Sequence, residues 1–379
     1  MVALTLLMTA LYTATPAETK RALSPAESFA KAKEQCEANQ ADACAFLGVH
    51  YQNGKGVAKD MKEAVRLFRV ACSQGSQIGC TDLAASLVDG KPEPASIDEA
   101  KRLFESACHA DVGRACSGLA YTARTFASKV TPEIADRSYK FAKRGCYLKN
   151  GWGCYLVATH YLEAKGREKL ARKEYERSCS FEHGPGCILL GQLLLAGKAT
   201  KKDPQRAMKL FHRACELGQA KGCGHLARLF LAGVGTTKSG QNAFKLFKIA
   251  CDAGDPRSCA DLGLMCVQGK DVPLDYTCAK RRFKKACEQS NARGCANLGL
   301  LYQKGLKVRV DLRKALGLYT KACELGDGKA CGWSGLLYRD SFASLPRARE
   351  KSHEALQQGC NRGIAFACAA LNNGEKPKP

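Results

Sequence analysis

The chain reads as an all-α solenoid built from stacked helical hairpins. Three observations predict this. Twenty of the 22 cysteines fall into ten C-x7-C pairs. The first cysteines of successive pairs lie 36, 36, 38, 33, 36, 36, 36, 36 and 37 residues apart, a fixed period of the kind that marks a repeat array. Between the pairs, apolar residues recur at i, i+3, i+4 and i+7, the spacing of one helix face. A length of 379 residues would otherwise suggest two or three separate domains. An array replaces that expectation, because each repeat packs only on its neighbours.

The elements follow in order. Residues 18–40 are read as an N-terminal capping segment, with a helix from Pro25 to about Glu37. Ser24 stands at its N-cap, Pro25 at its first position and Glu27 where a capping box needs a carboxylate. Each hairpin then opens with a first helix, the A helix, near the second cysteine of a pair. Three residues after that cysteine comes a large apolar residue (Leu47, Leu83, Leu190, Leu226, Leu262, Leu298), and the next residue is Gly or Ala (Gly48, Ala84, Gly191, Ala227, Gly263, Gly299). Glycine inside a helix costs about 1 kcal/mol relative to alanine, so its recurrence predicts close approach of a neighbouring helix. Gly54, Gly90, Gly197, Gly233, Gly269 and Gly305 end the A helices. Asp60, Asp203, Ser239, Asp275 and Asp311 stand at the N-caps of the second, or B, helices. A B helix carries Ala, then Leu and an aromatic, then Ala-Cys, as in Ala64, Leu67, Phe68, Ala71 and Cys72. Residues 41–371 hold nine such hairpins and a partial C-terminal helix near Cys368 to Leu371. The polar tail 372–379 is expected to be disordered. The stretch from Cys116 to Cys179 lacks the Gly-x-Gly loop and breaks the period, so a distortion is expected there.

Apolar residues make up 45% and charged residues 25% of the chain, a folded rather than a disordered composition. The cysteine count is even and the spacing regular, which points to disulfides and to an oxidising compartment. Residues 1–17 fit a signal peptide, with an apolar run from Val2 to Ala14 and small residues Thr15 and Ala17 before a cut at Glu18. No stretch reaches 18 apolar residues, so no transmembrane segment is expected. The expected location is periplasmic or secreted. The net charge of +23, from 59 Lys+Arg against 36 Asp+Glu, favours an anionic partner. The cations are spread through all repeats without a basic run or basic–aromatic interleaving, so nucleic acid is not expected.

The pattern C-x2-L-G-x2-Y-x2-G-x-G-V-x2-D-x2-K-A-x2-L-F-x2-A-C-x2-G resembles the Sel1-like repeat. Cys44 to Gly75 follows it closely, with Glu63 in place of Lys before Ala64. The cysteine-bearing version most resembles the Helicobacter cysteine-rich protein family, over about residues 25–371. The resemblance implies a right-handed α/α superhelical solenoid related to tetratricopeptide arrays. It also implies disulfides joining each B helix to the next A helix. The implied pairs are Cys36 with Cys44, Cys72 with Cys80, Cys108 with Cys116, Cys146 with Cys154 and Cys179 with Cys187. They continue as Cys215 with Cys223, Cys251 with Cys259, Cys287 with Cys295, Cys323 with Cys331 and Cys360 with Cys368. The spacing permits this, because both cysteines flank one tight turn and their Cα atoms can fall within the roughly 4.4–6.8 Å a disulfide needs. Cys266 and Cys278 depart from the pattern. An eleventh disulfide, two free thiols and a metal-binding pair are the readings open for them.

C-x7-C is not a zinc spacing, and the seven histidines follow no register, so no metal or cofactor is expected. Some members of the cysteine-rich family are described as penicillin-binding or weakly β-lactamase-like. Ser28-Phe29-Ala30-Lys31, Tyr51-Gln52-Asn53 and Lys238-Ser239-Gly240 match the three β-lactamase elements. Each fixes only two or three residues. Phe29 is expected inward, Tyr51 in packing and Ser239 at a cap, and Lys238 lies five repeats from Tyr51. No catalytic residue is assigned. No P-loop, HExxH or EF-hand pattern stands out, and no C-x-x-C is poised for redox exchange.

The function expected is therefore an exported, monomeric scaffold that binds a protein or peptide, an acidic one by charge, at the bacterial envelope or outside the cell. A cell-wall fragment is a further candidate occupant, and a weak β-lactam hydrolase is the second reading. Solenoids bind along a groove lined by A-helix side chains. The groove candidates are His50, Gln52, His160, Gln192, Arg228, Gln303 and Arg339.

Overall fold

The computed structural model describes residues 23–89, 93–164, 166–198, 200–345 and 347–372. The signal peptide read at 1–17, the helix stop read at Gly90 and the tail from 373 onward lie outside these residues. Among the described residues the chain is all-helical. α1 (Pro25–Glu37) precedes nine hairpins. These are α2 (Ala41–Asn53) with α3 (Met61–Ser73), α4 (Gln77–Leu87) with α5 (Pro94–His109), α6 (Gly113–Thr125) with α7 (Pro132–Tyr147), and α8 (Gly151–Glu163) with α9 (Glu168–Ser180). There follow α10 (Gly184–Ala196) with α11 (Pro204–Glu216), α12 (Ala220–Ala232) with α13 (Gly240–Asp252), α14 (Pro256–Gln268) with α15 (Tyr276–Glu288), α16 (Ala292–Lys304) with α17 (Leu312–Glu324), and α18 (Gly328–Asp340) with α19 (Ala348–Asn361). α20 (Ala365–Asn372) closes the array, so Asn372 ends a helix and is not part of a disordered tail.

The caps explain where helices begin. Ser24 and Glu27 exchange both bonds of a capping box. Asp60, Asp203, Asp275 and Asp311 accept backbone N–H bonds at the starts of α3, α11, α15 and α17. Ser239 accepts from the Asn242 N–H in the same way at α13. The turn from each B helix to the next A helix passes through a left-handed residue. Glycine fills it at Gly75, Gly218, Gly254 and Gly326, while Asn39, Asp111, Lys149, Glu182 and Ser290 fill it elsewhere. A left-handed conformation costs a side-chain-bearing residue roughly 1–2 kcal/mol. A disulfide spans every one of these turns and holds it closed.

Each C-x7-C pair is bonded within itself. In the N-terminal half Cys36 is bonded to Cys44, Cys72 to Cys80, Cys108 to Cys116, Cys146 to Cys154 and Cys179 to Cys187. In the C-terminal half Cys215 is bonded to Cys223, Cys251 to Cys259, Cys287 to Cys295, Cys323 to Cys331 and Cys360 to Cys368. The Cα atoms of these pairs lie 4.4–4.7 Å apart. Cys80, Cys187, Cys223, Cys295 and Cys331 are all buried, so the sulfur of the A helix sits under the turn and faces the core. These five serve as staples and are not open to a ligand. Cys266 of α14 is bonded to Cys278 of α15, Cα to Cα 6.1 Å. Cys146, Cys154 and Glu174 form a cluster of metal-ligand type, but the two sulfurs are bonded to each other and offer no thiolate.

The packing unit is one aromatic ring per B helix, four places before its cysteine, except in α7 and in α19, where Leu356 takes the place. Phe68, Phe211, Phe247, Phe283 and Tyr319 are almost fully buried. One side of the ring meets the Gly or Ala of its own A helix. A Cβ at Gly48 would stand 2.6 Å from Phe68, and one at Gly263 2.5 Å from Phe283, so these helices approach closer than a methyl allows. The other side meets the residue two places after the cysteine of the next A helix. His225 stacks on Phe211 at 4.9 Å, and Trp333 lies 5.3 Å from Tyr319. In α7 the ring position holds Ala142 instead. The chain divides into two compact units within this helix, between Ser138 and Tyr139. The ring is thus missing inside the stretch from Cys116 to Cys179 where the repeat period breaks.

Candidate partner-binding face

The ring register decides which A-helix positions reach the surface. The residues two places before and two places after the A-helix cysteine flank the preceding ring, one helical turn apart. In the first unit this pair of rows forms an ion pair across neighbouring hairpins: Arg114 of α6 donates to Asp82 of α4 at 2.5 Å. Asp82 is buried, which pushes its carboxyl above the usual range against the pull of Arg114. In the second unit the same rows pair through Asp261 and Arg293, and Arg228, five places after its cysteine, extends the bridge to three helices. Arg228 of α12 donates to Asp261 of α14 at 3.0 Å, and Arg293 of α16 donates to its other oxygen at 2.8 Å. Arg228 also lies over the Phe247 ring at 5.9 Å. Gln192 of α10 bonds His225 of α12 at 3.0 Å. Burial, and then the cations Arg228, Arg257 and Lys221, hold the His225 imidazole down at about 4.

Four successive A helices carry a cation two places before their cysteine: Lys221, Arg257, Arg293 and Lys329, all exposed. Among the described residues Lys221, Arg257 and Lys329 make no ion pair within 4.0 Å, whereas Arg293 is held by Asp261. Asn297, two places after the α16 cysteine, keeps a buried amide nitrogen without an acceptor. The face therefore presents cations and a fixed Arg–Asp–Arg bridge, a set that can take an extended chain carrying carboxylates.

The residues expected to line a groove are distributed differently. Gln192 and Arg228 belong to this face. Gln303 instead accepts the Tyr319 hydroxyl at 2.8 Å, and Arg339 folds onto its neighbour Asp340. His160 packs against Tyr139 at 4.7 Å, and Gln52 sits half-buried at the end of α2. His50 faces α1, where its Nε2 meets Ser28 Oγ at 3.1 Å and its Nδ1 meets the Lys55 carbonyl at 2.7 Å. The carbonyl can only accept, so Nδ1 carries the proton and Ser28 donates to Nε2. Ser28 thus pairs with His50, Tyr51 packs edge-on against Phe29 at 5.6 Å, and Ser239 is a helix cap. Polarity along one helix does not single out Asp82, Arg114, His225, Asp261 or Arg293. The signal that could find them is their common offset of two from a cysteine.

The Sel1 repeat profile matches residues 41–76, 78–112, 184–219, 220–255, 256–291 and 292–327, more than half of the chain. A comparison with curated proteins gives no match. Among solved structures, a protective antigen of uropathogenic Escherichia coli strains, displaying an SLR fold, is 23% identical over 91% of this chain and 74% of its own, with a TM-score of 0.60. A Sel1 repeat protein from Oxalobacter formigenes is 21% identical over 68% of this chain and 96% of its own, TM-score 0.52. Helicobacter pylori cysteine rich protein B is 25% identical over 36% of this chain and 100% of its own, TM-score 0.30. The first two share the helical-hairpin fold.

Proposed function

This chain belongs to the Sel1 repeat family, and from that premise we propose that it is an exported binding scaffold that seats an acidic protein or peptide on the A-helix face of its second unit. The observation that carries the reading is the row Lys221, Arg257 and Lys329, exposed and without ion pairs beside the Arg228–Asp261–Arg293 bridge. Oxidation of every cysteine supports an oxidising compartment, periplasmic or extracellular.

The test is fluorescence anisotropy with a labelled, extended peptide of alternating glutamates. Combining Lys221→Glu, Arg257→Glu and Lys329→Glu should weaken binding at least about tenfold, equivalent to about 1.4 kcal/mol. Equal affinity for the triple variant and the parent would refute the reading.

A hydrolase reading has one observation in its favour, the Ser28–His50–Lys55 carbonyl chain, which has the proton direction a nucleophile needs. Against it, the Ser28 backbone N–H is spent on the Ser24 carbonyl and cannot stabilise an oxyanion. Nitrocefin turnover that disappears in Ser28→Ala would favour hydrolysis; turnover that persists would exclude this serine.

A further inference from the structure

The outward face of the B helices carries a second charge pattern that the A-helix reading does not use. Counting back from the B-helix cysteine, the core takes positions one, four, five and eight, as Ala71, Phe68, Leu67 and Ala64 do in α3. Positions three and six then point directly away from the core. In the second unit, position six is Lys140, Lys173, Lys209, Lys245 and Arg281 in five successive B helices. Position three is Lys143, Glu176, His212, Lys248 and Lys284. The one carboxylate among them, Glu176, is already held by Arg172 and Arg206. The row then stops: position six becomes Gly317 in α17 and Glu354 in α19.

The band is bounded on both sides. Toward the N-terminal ends of the helices the next outward residues in α11, α13 and α15 are neutral, Gln205, Gln241 and Thr277. Toward the C-terminal ends they are acidic, Glu216, Asp252 and Glu288. Within the band, Lys173, Lys209, Lys245 and Arg281 make no ion pair among the described residues. In the first unit Arg66 is answered by Glu63 at 2.6 Å and Arg69 by Glu99 at 2.9 Å, while Arg102, at position six of α5, makes no ion pair among the described residues.

We propose that this band is a docking track for a linear acidic polysaccharide that crosses the B helices of the second unit. One continuous row of cations, several hairpins long, fits a strand of charge; in the second row Lys143 and Lys248 add to it, while His212 meets Glu216 at 3.4 Å and Lys284 meets Glu288 at 3.7 Å. A planar anionic membrane would also meet the acidic row at the helix ends and be repelled by it. The exposed apolar side chains beside the band, Tyr147 in α7 and Ile249 in α13, stand singly and form no cluster of the sort that carries binding energy in a protein interface. Its attraction is charge alone, which suits a polymer of repeating anions and makes binding steeply salt-dependent. The track lies on the opposite helix layer from the peptide face, so its failure leaves that reading untouched.

The test uses a defined heparin oligosaccharide as the probe, with the full oxidised chain, and two variants of equal net charge. One carries Lys173→Glu, Lys209→Glu, Lys245→Glu and Arg281→Glu. The other carries Lys201→Glu, Lys238→Glu, Lys270→Glu and Lys307→Glu in exposed loops of the same unit. Matching thermal melts establish that both are folded. The track variant should bind at least about tenfold more weakly than the parent, and the loop variant within about threefold. Equal losses in both would mean attraction by net charge only and would overturn the track. So would a parent that does not bind the probe. Loss of binding to phosphatidylglycerol vesicles in the track variant, with the oligosaccharide affinity retained, would overturn the polysaccharide and favour a membrane.

Discussion

Gly263→Ala and Gly317→Ala are the same chemical change in the interiors of two helices, and the structure assigns them opposite effects. At Gly317, on the outward side of α17, a Cβ would meet nothing within 4 Å, and the position borders a cleft of about 520 Å³. Alanine there gains helix propensity and costs nothing in packing, a stabilisation of about 1 kcal/mol. At Gly263, in α14, the new Cβ would stand 2.5 Å from Cε1 and 2.6 Å from Cδ1 of Phe283. That ring is buried and hemmed in by Leu298 and Leu301 of the next A helix, so it has nowhere to retreat. The propensity gain is common to both variants. Their difference therefore isolates the strain of overpacking, about 1–3 kcal/mol. Thermal melts of the oxidised protein followed by circular dichroism measure it, with each kcal/mol shifting a unit of this size by about 2–4 °C. Gly317→Ala should melt above the parent and Gly263→Ala at or below it. Ala84 and Ala227 occupy the equivalent position in other hairpins and are fully buried, so alanine itself is admissible there. The cost at Gly263 comes from the close approach of α14 and α15. If both variants were stabilised equally, the ring contact would not be the reason for glycine.

Three further outcomes follow from the same packing. Replacing Cys251 and Cys259 together by alanine opens a loop of about nine residues and should cost about 2.6 kcal/mol in the chain-entropy treatment, read as a lower denaturation midpoint of the second unit. Tyr175→Phe removes a buried hydroxyl without a partner and should stabilise by about 1 kcal/mol, whereas Tyr319→Phe breaks the bond to Gln303 and should destabilise by a similar amount; equal responses in the two melts would contradict the assignment. His225 is held at about 4 from an ordinary 6.5, so the unfolded chain takes up a proton before the folded one does; stability should be full above pH 6.5 and fall as the pH drops toward 4, by at most about 2 kcal/mol for this partly exposed ring. His225→Gln should flatten that part of the pH–stability curve.

The hairpins are legible in the sequence because their signals are local. A cap at Asp60, a stop at Gly54 and the Ala64–Leu67–Phe68–Ala71 register each act within one or two turns. The face is harder to read, because pairing across hairpins depends on which residues share a level on neighbouring helices. Choosing groove residues by polarity within one A helix picks out Gln303 and Arg339, whose side chains turn to Tyr319 and Asp340. It misses Asp261, which matters because Arg228 and Arg293 reach it from 33 and 32 residues away. The offset from the cysteine carries that information, since the disulfide fixes the level of each A helix on the B helix before it. Buried sulfurs such as Cys223 and Cys295 set that level at the turn itself.

The same reasoning explains how two charge patterns can share one repeat. Where a B helix carries the ring, it must stay buried between two A helices, which fixes the rotation of both helix types. Once that rotation is fixed, positions three and six of the B helix are free of the core, and the positions flanking the A-helix cysteine lie at its edge and face different surroundings. Substitution at positions three and six of the B helix leaves the packing untouched, whereas the residue two places after the A-helix cysteine also touches a ring, as His225 and Trp333 do. In the second unit the A-helix set holds bridged and unbridged cations beside hydrogen-bonding groups, and the B-helix set holds cations with few carboxylates to answer them. In the first unit, Glu63 and Glu99 neutralise Arg66 and Arg69, and Arg102 stands without an ion pair among the described residues. An array selected only for solubility has no reason to hold Lys173, Lys209, Lys245 and Arg281 without ion pairs on four successive B helices and then to end the row at Gly317 and Glu354. A surface that engages an anionic polymer along its length does.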